Sequence, residues 1–351
     1  MGLVVPLQGP AGIFAPSCEA VTELAVRTVN AAGGISGREV VVEVIDGGGD
    51  PAQVAHQVDL AIRAGRVQAI TGWHISAVRR RIAPVTSGRV PYIYTSLYEG
   101  GERTPGVICS GEVPAQQIRP ALRWLRDQLG VRNWCIVGDD YIWPRGSAAA
   151  AQRFCRELGL TIRDQVFVRY GTRGFAGVIR RVRSSGAQGV LMLLVGQDAV
   201  MFNRAFAAAG LHEQVVRFSP LMEENMLLAS GAHAVTDLYV AASYFRSLAT
   251  ADALHLTSEY TAAFGPDAPP LNAMAESCHG GIMMLRAMYD RAGCGDLPAL
   301  MSAAAEAGLD GPRGPRRMSG GICLQRVYLA RADGFDFDVI QVLRDPLISR
   351  G

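Results

Sequence analysis

Hydroxyl and aromatic side chains gather at three places where a strand-like run gives way to a helix-like one: Gly72-Trp73-His74-Ile75-Ser76, Tyr92-Ile93-Tyr94-Thr95-Ser96 and Asp139-Asp140-Tyr141-Ile142-Trp143-Pro144. This mix suits a small neutral ligand, because aromatic walls supply apolar contact while a few hydroxyls and helix-start N–H groups fix orientation. Each residue also has an ordinary structural role: Ser76 as a helix N-cap, His74 as a packed histidine, Trp143 as a surface anchor. The patterns that would transform a substrate are missing. There is no GxSxG elbow, no HExxH, no GxGxxG after a strand and no EF-hand loop. The six histidines (His56, His74, His212, His233, His255, His279) share no ligand spacing, and the seven cysteines (Cys18, Cys109, Cys135, Cys155, Cys278, Cys294, Cys323) include no CxxC pair. No catalytic residue, metal or cofactor is therefore expected. Every basic residue is arginine, which removes the lysine of a Schiff base and of a phosphate-binding P-loop.

The elements that must carry these residues follow from pattern. Short apolar runs alternate with longer amphipathic stretches, the signature of βα units feeding a parallel sheet. Strands are expected at Leu3–Leu7, Val40–Ile45, Val67–Gly72 and Pro91–Thr95, with helices from Pro16, over Pro51–Ala64 and over Ser76–Ser87. After Pro114 the rhythm restarts: helix to Leu129, strand Trp134–Gly138, helix Pro144–Leu158, strand Thr161–Val168, helix Phe175–Ser184, strand Gly189–Val195, helix Gln197–Ala209. Strands Val216–Phe218 and Leu238–Ala242 and helices Ala251–Phe264, Asn272–Ala292 and Leu297–Ala307 follow. Runs Ile322–Arg331 and Phe337–Leu343 flank Asp333-Gly334, which suits a hairpin turn. The expected fold class is α/β, two doubly wound parallel-sheet lobes, with ligand-facing loops at the carboxyl ends of strands.

Composition agrees. A chain of 351 residues that is 49% hydrophobic and 19% charged is long enough for two cores and too apolar to be disordered. A net charge of +2 with scattered arginines argues against direct nucleic-acid binding. The longest strongly apolar stretch, around Val190–Val195, is far short of a bilayer span. The opening MGLVVPLQGP shows no leader pattern, and an odd, dispersed cysteine set suits a reducing compartment. The expectation is cytoplasmic; the alternative is an extracytoplasmic protein or lipoprotein whose leader has been removed.

The segments Tyr94-Thr95-Ser96-Leu97-Tyr98-Glu99-Gly100, Val113-Pro114-Ala115-Gln116-Gln117 and Gly138-Asp139-Asp140-Tyr141-Ile142-Trp143-Pro144-Arg145 resemble the type I periplasmic-binding-protein family. Within it they look most like the amide sensor of the aliphatic amidase operon and the urea-binding proteins of ABC transporters. Gly9-Pro10, Asn30–Ile35, Gly47–Pro51 and Gly311-Pro312-Arg313-Gly314-Pro315 extend the resemblance over nearly the whole chain. It implies a non-catalytic clamshell closing on a short amide, urea or similar molecule, joined by three crossovers near Glu112–Pro114, Ala242–Phe245 and Arg316–Gly321. Lobe 1 would comprise residues 1–112 and 245–317, and lobe 2 residues 113–244 and 318–351. Position by position, His74, Ser76, Tyr94, Ser96, Tyr141 and Trp143 fall at ligand contacts. Departures are Thr95 and Leu97 in place of prolines, Trp143 in place of a smaller aromatic, and His74 where the sensor has a tyrosine. Glu223 or Glu224 would hold the ammonium of an amino acid, or form the acidic first turn of a helix. The implied role is a ligand sensor governing a regulatory protein partner; the alternative is the binding subunit of an ABC importer for urea, amides or branched-chain amino acids, working with a permease. A homodimer is a further expectation.

Overall fold

The computed structural model describes residues 1–306 and 308–345. Ala307, the expected end of one helix, and residues 346–351, the expected tail of lobe 2, lie outside the described residues. In chain order the first elements are β1 (Gly2–Val5), α1 (Ala15–Ala31), β2 (Glu43–Asp46), α2 (Pro51–Arg63), β3 (Ile70–Gly72), α3 (Ser76–Thr86), β4 (Tyr92–Tyr94) and β5 (Val107–Cys109). The second run is α4 (Pro114–Leu129), β6 (Asn133–Asp139), α5 (Ile142–Leu158), β7 (Thr161–Val168), α6 (Ala176–Ser185), β8 (Gly189–Leu193), α7 (Gln197–Ala208), β9 (Val216–Ser219), α8 (Glu224–Ser230) and β10 (Leu238–Ala242). It is followed by α9 (Ala251–Phe264), α10 (Ala273–Ala292), α11 (Leu297–Glu306), β11 (Arg317–Ser319), β12 (Ile322–Leu324), β13 (Val327–Asp333) and β14 (Asp336–Arg344).

The chain divides into two compact units. Unit 1 holds residues 1–112 and 249–325, unit 2 residues 113–248 and 326–351. Unit 1 is built on a five-stranded parallel sheet of order β2-β1-β3-β4-β5. Strands β1, β3 and β4 are buried along their whole length, as the inner strands of a helix-covered parallel sheet are. One core packs Ile93 and Ile108 of the sheet against Met284, Leu285 and Met288 of α10 and Leu300 of α11. Local chemistry sets the helix starts: Asp50 accepts from the N–H groups of Ala52 (2.9 Å) and Gln53 (3.2 Å) with Pro51 as the first helical residue, and Asn272 accepts from Ala275 N–H (2.9 Å).

Unit 2 has a seven-stranded sheet of order β14-β13-β10-β9-β8-β6-β7. From β10 to β7 it is parallel; β13 and β14 add an antiparallel edge. Asp333 pairs with Asp336, so the hairpin turn is Gly334-Phe335, and Gly334 adopts φ +63°, the left-handed conformation such two-residue loops need.

The run Ile322–Arg331 is not one strand. Its first part pairs with β11 in a small hairpin of unit 1, its second part joins the sheet of unit 2, and the break falls at Gln325-Arg326. Gln325 is held in unit 1 by donating to Ser110 O at 3.1 Å, while Arg326 pairs with Asp345 at 2.7 Å. The chain therefore passes between units after Glu112, Leu248 and Gln325, so residues 245–248 go to unit 2 and 318–325 to unit 1, against the expected lobe bounds. Among the described residues no helix is long and apolar enough to cross a membrane.

Candidate functional site

In unit 1 the candidates sit at the carboxyl ends of β3 and β4. Gly72 has φ +122°, and a Cβ there would lie 2.3 Å from Val4 O, so only glycine lets β3 end this close to β1. That turn carries His74 inward. Its Nδ1 lies 3.1 Å from Val4 O and its Nε2 2.6 Å from the Tyr92 hydroxyl. A carbonyl can only accept, so the proton is on Nδ1 and Tyr92 donates to Nε2. Burial lowers the His74 pKa from 6.5 to about 4 and keeps the ring neutral. Both ring nitrogens are engaged inside unit 1, so any contact His74 makes with a ligand would be through the ring face or edge.

The neighbour is Tyr94. Its hydroxyl donates to His74 O at 2.7 Å and is hydrogen-bonded by Ser76 and Ser96; burial pushes its pKa up to about 12. Ser76, Tyr94 and Ser96 thus form one buried hydroxyl cluster. Ser76 does not cap α3. The N-cap is Ile75, and no side chain caps the helix. The Ser76 hydroxyl instead accepts from Arg79 at 3.1 Å. No side chain caps the first turn of this eleven-residue helix, which opens at Ser76 of the hydroxyl cluster.

Sequence reasoning passed over Arg79. Its guanidinium donates to Glu99 (2.7 Å) and Glu102 (3.0 Å) and lies 5.1 Å from the ring centroids of both Tyr94 and Tyr98. Glu99 is thereby tied to loop structure. Other motif residues are spent the same way: Arg145 pairs with Asp140 at 2.8 Å and stacks on Phe167, Gln117 donates to Ala241 O (2.7 Å) and Pro220 O (3.0 Å), and Arg313 is bonded to Glu276.

In unit 2, Tyr141 is the N-cap residue of α5, with Asp140 between it and the end of β6, and Trp143 lies buried in the first turn. Their ring centroids are 6.4 Å apart. A third ring, Tyr170 beyond the end of β7, meets Tyr141 edge-on at 5.7 Å. Tyr170 was missed because the loop after β7 was not counted among the strand ends, although Thr161–Val168 reads plainly as a strand. Glu223 and Glu224 begin α8 and are buried. Glu224 accepts from Arg246 N–H at 2.7 Å, and burial raises its pKa to about 7. Among the described residues no cluster of three or more His, Cys, Asp or Glu could hold a metal ion.

The chain is similar to known proteins along most of its length. It is 22% identical over 313 residues to a Leu/Ile/Val-binding protein homolog of Brucella melitensis, covering 88% of this chain and 83% of that protein. In structure it is similar to the solute-binding protein of a Rhodopseudomonas palustris ABC transporter in complex with benzoate (TM-score 0.87, 19% identity, 97% of this chain and 95% of that one). It is also similar to a leucine-binding protein of Thermotoga maritima (TM-score 0.83, 19% identity, 97% of each chain). These likenesses establish the fold and do not single out the amide-sensing branch. The family model described as "Periplasmic binding protein" matches residues 1–336, so the chain belongs to the periplasmic binding protein family, which binds without catalysis.

Proposed function

We propose that this protein is the extracytoplasmic solute-binding component of an ABC-type importer and that its solute is a small carboxylate with an apolar or aromatic body. The observation that carries this reading is the uncapped first turn of α3 beside the hydroxyls of Ser76, Tyr94 and Ser96. Helix-start N–H groups favour an anion. The carbonyl of a neutral amide can accept the same N–H bonds but brings no net charge for the helix dipole to favour. The benzoate of the R. palustris protein and the isoleucine of a Streptococcus pneumoniae transporter protein both carry a carboxylate, which supports the same choice. Within unit 2, Tyr141, Trp143 and Tyr170 offer ring faces of the kind on which an apolar or aromatic group packs. The partner of the loaded protein would be an ABC permease.

The test is a thermal-shift panel of matched pairs: benzoate against benzamide, leucine against leucinamide, with acetamide and urea alongside. A solute bound only by the native state at a hundredfold excess over Kd adds about 2.7 kcal/mol of stability. Benzoate or leucine should raise Tm and its amide should not. A response to acetamide or urea alone would return the chain to the amide-binding reading.

A further inference from the structure

Two acids outside the site already described stand at the reversal of strand order in unit 2. Asp139 ends β6, and Asp198 lies in the first turn of α7, just past β8. The chain leaves β6 for β7 on one side, and β8, on the other side of β6, begins the run to β9 and β10. Both acids are buried, at 0% and 2% exposure. Asp139 Oδ2 accepts from Val195 N–H at 2.9 Å, and Asp198 Oδ2 accepts from Gly171 N–H at 2.7 Å. The two carboxyl groups also hydrogen-bond each other. Two carboxylates cannot do that, so one must be the acid. Asp139 is the donor: it is the more deeply buried, one N–H faces it, and its Oδ1 meets no other partner. Asp198 receives the N–H groups of Gly171 and Thr172 and sits in the first turn of α7, all of which favour the anion.

We propose that Asp139 and Asp198 share one proton and with it fasten the loops after β6, β7 and β8 together, acting as positioning residues for solute binding. The loops concerned carry Tyr141 (after Asp139) and Tyr170 (before Gly171), so the proposal rests on the reading of Tyr141 as a solute contact. Among the described residues neither acid has an ion pair. The other charged or titratable groups nearby are otherwise engaged: Asp140 and Arg145 pair with each other on the β6–α5 side, Arg181 of α6 pairs with Asp164, Arg204 of α7 donates to Ala229 O, and Glu224 of α8 accepts from Arg246 N–H. Arg169 and Arg173 of the β7–α6 loop, and Arg180 and Arg183 of α6, are exposed. Burial raises the pKa of both acids above the ordinary 3.8. A raised folded-state value means that stability from the pair is complete below about pH 4 and drains away as pH climbs through the raised values.

Asp139→Asn tests the pair in the full chain without solute. The amide oxygen still accepts from Val195 and the amide nitrogen donates to Asp198 permanently. Difference infrared spectra of wild type minus Asp139→Asn at neutral pH should show the carbonyl stretch of a buried carboxylic acid, and the variant's Tm should fall less steeply with rising pH. No acid band in the difference spectrum, or superimposable pH profiles, overturns the proposal. Binding is then read with benzoate or leucine, whichever gives the larger thermal shift. Asp198→Ala, which releases Gly171, should weaken it roughly tenfold, about 1.4 kcal/mol. Unchanged affinity in Asp198→Ala overturns the positioning role; if that variant does not fold, the Asp139→Asn pH profile decides. Failure of the site reading is separate, since Tyr141→Phe would then bind as wild type with the infrared band still present.

Discussion

Residue by residue, burial decides which polar groups of this protein are spent on structure. His74 and Tyr94 are both almost fully buried, yet only Tyr94 shares its hydroxyl with Ser76 and Ser96 at the uncapped end of α3. His74 is fixed as the neutral Nδ1–H tautomer by Val4 O. Its pKa of about 4 against 6.5 unfolded means that its contribution is present above pH 6.5 and lost as pH falls toward 4, on the order of 3 kcal/mol at about 1.4 kcal/mol per unit. Nitrogen-detected NMR at pH 5.5 should show this ring neutral and protonated on Nδ1; an imidazolium signal would contradict the assignment. Tyr141 gives the complementary prediction. Tyr141→Phe keeps the ring contacts with Trp143 and Tyr170 and removes only the hydroxyl. Calorimetric titration should show affinity lower by about 0.5–1.5 kcal/mol, with the apo Tm within a degree or two of wild type. Lost stability with unchanged Kd would make Tyr141 a packing residue. The sequence marked both residues by type and position, but it could not show that one imidazole has no free nitrogen.

For the elements, α3 and the β4–β5 loop form the most heavily invested part of unit 1. The Arg79 side chain is 1% exposed and those of Glu99 and Glu102 are 8% and 10%, so the pairs are shielded from water and salt. Breaking a buried pair by removing one partner leaves uncompensated charge. Arg79→Met should therefore cost about 3–5 kcal/mol in denaturant unfolding, and the Glu99→Gln, Glu102→Gln, Arg79→Met triple variant should recover part of it, because no carboxylate is left unpaired. A cost under 1 kcal/mol for Arg79→Met would show that the clamp is hydrated. The periodicity of Ser76–Ser87 makes the helix legible in sequence. Arg79 is the fourth residue of that helix, one of three consecutive arginines, and nothing local separates the buried one from its neighbours; the loop folding over it from β4 makes the difference.

Across the whole molecule, the cysteines reverse one argument. Six of the seven are buried and only Cys294 is exposed. Burial raises the pKa of Cys109, Cys135, Cys155 and Cys323, so these thiols resist ionisation and oxidation, and an odd count no longer speaks for a reducing compartment. Mass spectrometry after brief alkylation of the native protein at pH 8 should find one modified cysteine, Cys294; rapid labelling of Cys109 or Cys135 would refute the packing. By itself the sequence determined the βα rhythm, most strand and helix positions within a few residues, and the strand ends where Ser76, Tyr94, Ser96, Tyr141 and Trp143 stand. These depend on side-chain periodicity and turn chemistry over a few neighbouring residues. Only the tertiary structure decided that Ile322–Arg331 breaks at Gln325-Arg326 between two sheets, that Tyr170 joins Tyr141, and that Asp139 meets Asp198. Those partnerships are set by strand order, which brings β6, β7 and β8 side by side and leaves no mark in the local pattern of any one of them.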